Sequence, residues 1–240
     1  MRELAPGVHM LGAKKGGRVR AYLIEANGEL SLVDTLFEND GRGVLDAIRR
    51  LGHKPSDLKR IVLTHAHRSH LGGLAALKRA SGAAVLAHEW EADIISGDRP
   101  AQSVGLKPTA PFRTYPFQVG IFLNRPKHRP VPIDESIGDG GAFGPLQVLY
   151  VPGHSPGHLA YATEGNVFSG DVLFAGSVGR TDLPGADWPT LIGSIRVLVA
   201  ALPPETAVHP GHGPPTTLAT ELATNPFLAE LRDETREVAR

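Results

Sequence analysis

Three histidines lie within six residues, directly after a short apolar run. This arrangement constrains the possible fold and function of the chain more than any other feature of its sequence. The run Ile61–Leu63 predicts a β-strand buried on both faces, with Thr64 and His65 at its C-terminal end. Alternate residues of an extended chain point to the same side, so His65 and His67 can project together. His70 follows as the chain turns into a helix. Such a group of imidazoles suits a divalent transition metal, although a polar loop of solvent-exposed histidines stays open as the alternative.

Three later segments repeat one pattern, in which a strand leads into a glycine-containing turn that carries a ligand-type residue. They are Val151–Ser155, Phe168–Asp171 and Val208–Gly213. Any one of them alone would be a weak signal, because Gly and Asp in turns usually serve the backbone. Together with the first group they predict one metal site. The candidate ligands are His65, His67, His70, His154, Asp171 and His212.

The composition narrows the chemistry of this site and the class of partner. The chain has no cysteine, so a metal must be held by His, Asp or Glu. Lys and Arg number 25 and Asp and Glu also number 25, so the formal net charge is zero. Overall electrostatics therefore do not favour binding to nucleic acid or to an anionic membrane. A small-molecule substrate is expected. No apolar run approaches the ~20 residues that span a bilayer, and Met1–Pro6 lacks a secretory signal pattern, so we expect a cytoplasmic protein.

The order of predicted elements indicates a single α/β domain over residues 1–240. An Asn27-Gly28 turn joins two β-rich runs as a hairpin, and a helix is expected from about His70 to Arg79. Strand-like runs return after residue 145 and alternate with a helix that begins near Asp187. Between about residues 97 and 132, prolines and aromatic residues interrupt the periodicity. We interpret this insertion as a lid over the active site, because long irregular loops usually serve binding.

The chain resembles the metallo-β-lactamase superfamily, and most of all its glyoxalase II-type hydrolases. The resemblance is carried by Thr64–Gly73, Pro152–His158, Ser169–Asp182 and Pro210–Phe227, and it covers nearly the whole chain outside the insertion. It implies an αββα sandwich of two mixed β-sheets, with the metal site at one edge between the sheets. In the family pattern one metal is held by His65, His67 and His154, and a second by His70 and His212. Asp171 would bridge the two.

The sequence departs from this family pattern at Ser69, where the family normally has an aspartate that binds the second metal. Two dications with one bridging hydroxide and one carboxylate leave a charge of roughly +2, which is one unit more than with the aspartate. We therefore expect a weakened second site, and a chain that binds either one or two metal ions. Ser69 either ligates the metal or bonds the backbone at the helix start.

The resemblance implies a metal-dependent hydrolase in which metal-bound hydroxide cleaves a thioester, ester or lactone of a small molecule. The expected cofactor is Zn²⁺, one or two per chain, with Fe or Mn as alternatives. Asp171 and Ser69 are the candidate catalytic residues. Two other functions stay open. One is a mononuclear iron persulfide dioxygenase using His67, His154 and Asp171. The other is a degenerate metal-binding module without catalysis.

Several further residues are candidates for orienting the ligands or for purely structural roles. Asp34, His158 and His209 lie near the ends of strands or beside ligand turns and could contact the ligands. Arg180 and Asp182 are expected to form an ion pair in a loop. The remaining expectation concerns three histidines that are assigned to the surface: His9, His53 and His128. The sequence leaves the oligomeric state open.

Overall fold

Two β-sheets form the centre of the structure. The computed structural model describes residues 1–12, 19–99 and 128–232 of the chain. Within these residues the first sheet has seven strands in chain order and the second has six. Helices cover the outer face of each sheet, so the layers run helix, sheet, sheet, helix. The predicted αββα sandwich is confirmed.

The first sheet begins antiparallel and continues parallel. Its strands are β1 (Arg2–Ala5), β2 (Val8–Gly12), β3 (Arg20–Ala26), β4 (Glu29–Val33), β5 (Leu58–Val62), β6 (Ala84–Ala87) and β7 (Glu135–Ser136). Strands β1 to β4 pair antiparallel, whereas β4 to β7 pair parallel. The turn between β3 and β4 lies at Asn27-Gly28, as the sequence predicts.

The second sheet has the order β15-β14-β11-β10-β9-β8. Its strands are β8 (Ala142–Phe143), β9 (Leu146–Tyr150), β10 (Leu159–Thr163), β11 (Asn166–Gly170), β14 (Ala207–Pro210) and β15 (Thr216–Thr217). Among these described strands, only β11 and β14 are parallel neighbours, so their C-terminal ends emerge at the same edge. A separate small hairpin consists of β12 (Leu173–Phe174) and β13 (Ser177–Val178).

The helices lie outside the two sheets. They are α1 (Arg42–Arg50), α2 (Arg68–Leu71), α3 (Leu74–Ser81), α4 (Ala92–Ser96), α5 (Trp188–Ala201) and α6 (Leu218–Thr224), with short 3₁₀ turns at Pro55–Asp57, Glu89–Glu91 and Pro226–Leu228. The α5 helix begins as predicted, because the side chain of Asp187 accepts a hydrogen bond from the backbone of Thr190. None of the helices in the described part of the chain has the length and apolar character needed to cross a bilayer.

Three apolar cores hold these layers together. One packs α1 and α3 on the first sheet, another packs α5 and α6 on the second, and the third fills the space between the sheets. In the third core, the rings of Tyr22 and Phe168 lie 4.9 Å apart between their centroids. Two buried tyrosines also fix strand ends there: the Tyr22 hydroxyl donates to the Pro210 carbonyl, and the Tyr161 hydroxyl donates to the Leu63 carbonyl.

The helix predicted from about His70 to Arg79 is interrupted. The structure has α2 and α3 instead, separated at Gly72 and Gly73. The backbone N–H of Gly72 donates to the Leu36 carbonyl, and that of Gly73 donates to the Thr35 carbonyl. These donors therefore bond to the loop after β4 rather than within a continuous helix. Of the predicted insertion, residues 100–127 lie outside the described part of the chain.

Candidate metal centre

The six candidate ligands lie in loops at one edge of the two sheets. His65, His67 and His70 follow β5 of the first sheet, and the others follow strands of the second sheet. His154 lies between β9 and β10, Asp171 follows β11, and His212 follows β14. Because β11 and β14 are parallel, their C-terminal ends bring Asp171 and His212 to the same place.

One group of ligand atoms belongs to His65, His67 and His154. One nitrogen from each ring lies within 4.8 Å of the other two. His154 Nε2 and His67 Nδ1 are 2.9 Å apart, and both rings stand nearly perpendicular to that of His65. Nitrogen atoms bound to one zinc ion each lie about 2.0–2.1 Å from it, so this spacing is compatible with a shared cation.

Asp171 lies between this group and the remaining two histidines. Its Oδ1 is 3.6 Å from His70 Nε2, and its Oδ2 is 3.4 Å from His212 Nε2. The same Oδ2 is 3.7 Å from His154 Nε2. One carboxylate therefore approaches ligands of both predicted metal positions, as a bridging ligand must.

Asp34 and Thr64 fix which nitrogen of two histidines faces the centre. The Thr64 hydroxyl donates to the Asp34 carboxylate, so its oxygen accepts the hydrogen bond from His65 Nδ1 at 3.0 Å. His70 Nδ1 donates to Asp34 Oδ2 at 2.8 Å. The Nε2 atoms of His65 and His70 then face the centre and have no hydrogen-bond partner there. Neutral imidazole nitrogens held in this way are the form that binds metal.

Two further contacts orient the ligands of the second sheet. His154 Nδ1 donates to the Arg180 carbonyl at 2.8 Å, which directs Nε2 to the centre. His158 Nε2 accepts a hydrogen bond from the backbone N–H of Asp171 at 3.1 Å. The His158 ring also stacks on that of His65, with 4.7 Å between centroids. His158 therefore contacts two candidate ligands, and its Nδ1 is buried without a hydrogen-bond partner among the described residues.

Buried polar atoms without partners test whether these residues fit a metal. Among the described residues, His65 Nε2, His70 Nε2 and Asp171 Oδ1 are buried and have no hydrogen-bond partner. One ligand atom of each residue lies within 4.8 Å of the others. Leaving such atoms unsatisfied costs about 1–3 kcal/mol each, and a shared cation removes that cost. The residues present fit a metal site.

The electrostatics of the centre also favour a cation. Burial lowers the pKa of His65 and of His154, so both rings are neutral near pH 7 and their lone pairs are available. Burial also disfavours charge on His70, but the carboxylates of Asp34 and Asp171 outweigh it and raise the pKa of His70 to about 10. His70 must therefore release its Nε2 proton before that nitrogen can bind a metal. Burial raises the pKa of Asp171, yet His212 and His70 hold it well below its usual range.

The close packing of the centre depends on small residues in its turns. A Cβ atom at Gly211 would lie 2.4 Å from Asp171 Oδ1 and 2.7 Å from His70 Cε1. No real Cβ makes such contacts, so position 211 must be glycine for Asp171 and His70 to approach each other.

Comparison with known proteins agrees with this geometry. The family model described as the metallo-beta-lactamase superfamily matches residues 15–212. The chain belongs to this superfamily. It is 36% identical over 220 residues to the probable metallo-hydrolase YqgX of Bacillus subtilis, covering 85% of this chain and 93% of that protein. It is 33% identical over 187 residues to the hydroxyacylglutathione hydrolase GloC of Haemophilus influenzae, covering 75% of this chain and 81% of that protein.

A solved structure supports the same family assignment. The crystal structure of TTHA1623 in a di-iron-bound form is similar to this chain with a TM-score of 0.75 and 35% sequence identity. The similarity covers 92% of this chain and 100% of that one. A relative with two iron ions means that membership of the superfamily does not by itself identify the metal.

Ser69 occupies the second position of α2 and is partly exposed. Its hydroxyl makes no hydrogen bond to any residue that the structure describes, so the expected bond to the backbone at the helix start is not present there. The neighbouring Arg68 turns away from the centre, since its guanidinium donates to Asn39 Oδ1 and to the Phe37 carbonyl. The centre therefore has one carboxylate, Asp171, among its six candidate ligands.

The other candidates divide into those near the ligands and those away from them. Asp34 and His158 contact ligands, whereas His209 does not: its Nε2 bonds Asn166 Oδ1 at 2.8 Å, and its ring stacks on Phe168. The ion pair of Arg180 with Asp182 is present and exposed.

The surface assignment of three histidines was only partly right. His9 is 6% exposed, so its assignment to the surface was wrong. His53 lies between Glu25 and Asp57 and is partly buried. His128 is also partly buried, and its Nε2 lies 3.1 Å from the Ile95 carbonyl.

The sequence did not single out three groups that support the ligands. They are the Thr64 hydroxyl, the Arg180 carbonyl and the carboxylate of Glu91, which accepts hydrogen bonds from the backbone of Ala66 and Gly157. A polar residue directly before His65 was a usable signal for Thr64. The other two act on loops distant in sequence, and nothing local marks them.

Proposed function

We propose that this chain is a metal-dependent hydrolase that cleaves a thioester, ester or lactone bond of a small molecule. The observation that carries the proposal is the convergence of three buried, unpartnered atoms, His65 Nε2, His70 Nε2 and Asp171 Oδ1. A site built this way, with neutral imidazoles and one bridging carboxylate, suits a transition-metal ion open to water and substrate.

The residues divide into two sets of ligands. His65, His67 and His154 would hold one ion, His70 and His212 would hold the other, and Asp171 would bridge them. A bound Zn²⁺ lowers the pKa of a coordinated water to about 7 and polarises a substrate carbonyl. We propose zinc, with iron or manganese as alternatives. The second set has one negative charge fewer than the family pattern with an aspartate in place of Ser69, and we propose that it binds its ion more weakly.

The protein residues position the reactants and move the proton. The Asp171 carboxylate is placed to hold the attacking water and to take its proton. Asp34 bonds His70 directly and His65 through the Thr64 hydroxyl, which keeps the Nε2 atom of each ring toward the centre. A cleft lined partly by Pro156 and Pro184 lies beside His67, and we propose it as the place where a small substrate reaches the site. No side-chain nucleophile is required.

The acyl substrate class is supported by one relative. GloC, which is 33% identical, is named for hydrolysis of a hydroxyacylglutathione, which is a thioester. Hydrolysis of a thioester and of an ester both need an activated water beside a polarised carbonyl, so one site can serve both.

The test combines metal analysis with a panel of substrates. Purified protein should contain one or two equivalents of transition metal, hydrolyse at least one thioester, ester or lactone, and lose this activity with a chelator. Asp171→Asn should remove activity, whereas Asp46→Asn, which alters an exposed ion pair with Arg49 on α1, should not. Protein that contains no metal and ignores chelators would contradict the proposal. Oxygen uptake with a persulfide by an iron-loaded protein would favour the dioxygenase. Metal without any reaction would favour a binding module.

A further inference from the structure

Glu91 is a buried carboxylate that takes no direct part in the proposed reaction. It ends the 3₁₀ turn after β6 and is 2% exposed. It also lines the cleft beside His67. A charged side chain this deeply buried is uncommon unless its oxygens are well bonded, so its partners reveal what it does.

Both carboxylate oxygens bond to loops that carry candidate ligands. Glu91 Oε2 accepts from the backbone N–H of Ala66 at 3.0 Å, and Oε1 accepts from that of Gly157 at 2.9 Å. Ala66 lies between His65 and His67, and Gly157 lies between His154 and His158. One side chain therefore joins a loop of the first sheet to a loop of the second.

The contact with Gly157 is too close for any larger residue. A Cβ atom at position 157 would lie 2.7 Å from Glu91 Cγ. Burial raises the pKa of Glu91, while hydrogen bonds from Gly157 and Ala66 oppose that shift by favouring the charged form. Since each oxygen already accepts a hydrogen bond from a backbone N–H, Glu91 connects the two loops and is not a metal ligand.

We propose that Glu91 is a positioning residue that sets the spacing between the His65–His67 loop and the His154 loop, and that tight metal binding depends on it. This inference rests on the proposed function, because it concerns the same metal centre. Residues that orient metal ligands typically change metal affinity or activity by about 10–100-fold when they are replaced.

The test compares Glu91→Gln with a matched control, Glu221→Gln. The amide introduced at position 91 keeps one acceptor but sets an NH₂ group against the other backbone N–H. Glu221 is also 2% exposed and bonds the Gly176 backbone at 2.8 Å, but it does not touch the loops that Glu91 joins. Both variants should lower the unfolding free energy of metal-free protein. Only Glu91→Gln should raise the Zn²⁺ dissociation constant, by about 10–100-fold, and change the visible absorption spectrum of Co²⁺-loaded protein.

A second variant keeps the inference testable if Glu91→Gln does not fold. Gly157→Ala introduces a methyl group against Glu91 Cγ and should displace the carboxylate, with the same loss of metal affinity and the same spectral change. Folded Glu91→Gln or Gly157→Ala with wild-type metal affinity and spectrum would overturn the inference. An equal loss of affinity in Glu221→Gln would do the same. Wild-type protein that binds no metal would instead overturn the proposed function itself.

Discussion

Asp34 Oδ2 and His70 Nδ1 are 2.8 Å apart in a position where both side chains are buried. Asp34 also accepts from the Thr64 backbone and hydroxyl, and its own backbone has a left-handed conformation with φ of 60°. A strained backbone of this kind persists only where the surroundings hold it. One carboxylate directly after β4 thus orients two imidazoles that follow β5: His70 directly and His65 through the Thr64 hydroxyl.

Asp34→Asn should weaken metal binding about 10–100-fold. Asparagine tolerates a positive φ, so the change tests the carboxylate more than the backbone. The amide cannot accept from Thr64 and His70 as the carboxylate does, and His70 loses the partner that fixes its tautomer. Competition with a chelating dye measures the affinity. Asp187→Asn, at the exposed start of α5, is the control, and an equal loss of affinity in both variants would contradict this role for Asp34.

Ser69→Asp should raise the affinity for the second metal ion about 10–100-fold, because it adds a carboxylate at that position. The hydroxyl of Ser69 makes no hydrogen bond to any residue that the structure describes. Metal analysis after dialysis should show a second equivalent retained in the variant and less in the wild type. Ser56→Asp places the same charge on an exposed 3₁₀ turn and should leave the stoichiometry unchanged. Identical metal content in Ser69→Asp and wild type would show that position 69 does not face the second ion.

Removal of the metal should destabilise the fold as well as stop the reaction. A ligand that binds only the folded state at about 100 times its dissociation constant adds about 2.7 kcal/mol to the unfolding free energy. Denaturant unfolding of chelator-treated protein, with and without added Zn²⁺, measures this difference. Mg²⁺ should not restore stability, because it prefers oxygen ligands. Equal stability with and without Zn²⁺ would contradict a structural contribution from the ion.

His209→Gln should reduce the loss of stability on acidification. Burial lowers the pKa of His209 to about 4, so between pH 6.5 and 4 the unfolded chain binds a proton that the folded chain does not. The stability from neutral, buried His209 is therefore complete above pH 6.5 and declines as the pH falls. From pH 7 to pH 5 this contribution to the unfolding free energy falls by about 2 kcal/mol. Glutamine can still bond Asn166 but does not titrate, so the variant should not show this fall. Unfolding free energies of metal-free protein at several pH values give the comparison, and parallel curves would refute the assignment.

The candidate ligands could be located from the sequence because most of them lie in loops that follow the end of a strand. Apolar runs mark the strands, glycines mark the turns, and histidine or aspartate at the turn completes a local signal. His65, His154 and Asp171 each have this context, and the structure brings them together. The αββα layering was predictable through the family resemblance that the same segments carry.

The supporting residues could not be predicted because their partners are distant in sequence. Glu91 bonds loops at residues 66 and 157, and only the packing of two sheets brings these together. His209 lies three residues before His212, yet its side chain points between the sheets to Tyr22 and Phe168. The interruption of the helix at Gly72 likewise depends on carbonyls of the loop after β4, which no local propensity reveals.

The candidate ligands belong to both sheets: three histidines follow β5 of the first, while His154, Asp171 and His212 follow strands of the second. Each proposed ion would take ligands from both sheets and would therefore cross-link the N-terminal and C-terminal halves of the molecule. The chain has no cysteine. Bound metal would therefore link segments that are distant in sequence, as disulfide bonds do in other proteins. Separation of the two halves would then release bound metal, so a measurement of metal release would report that separation.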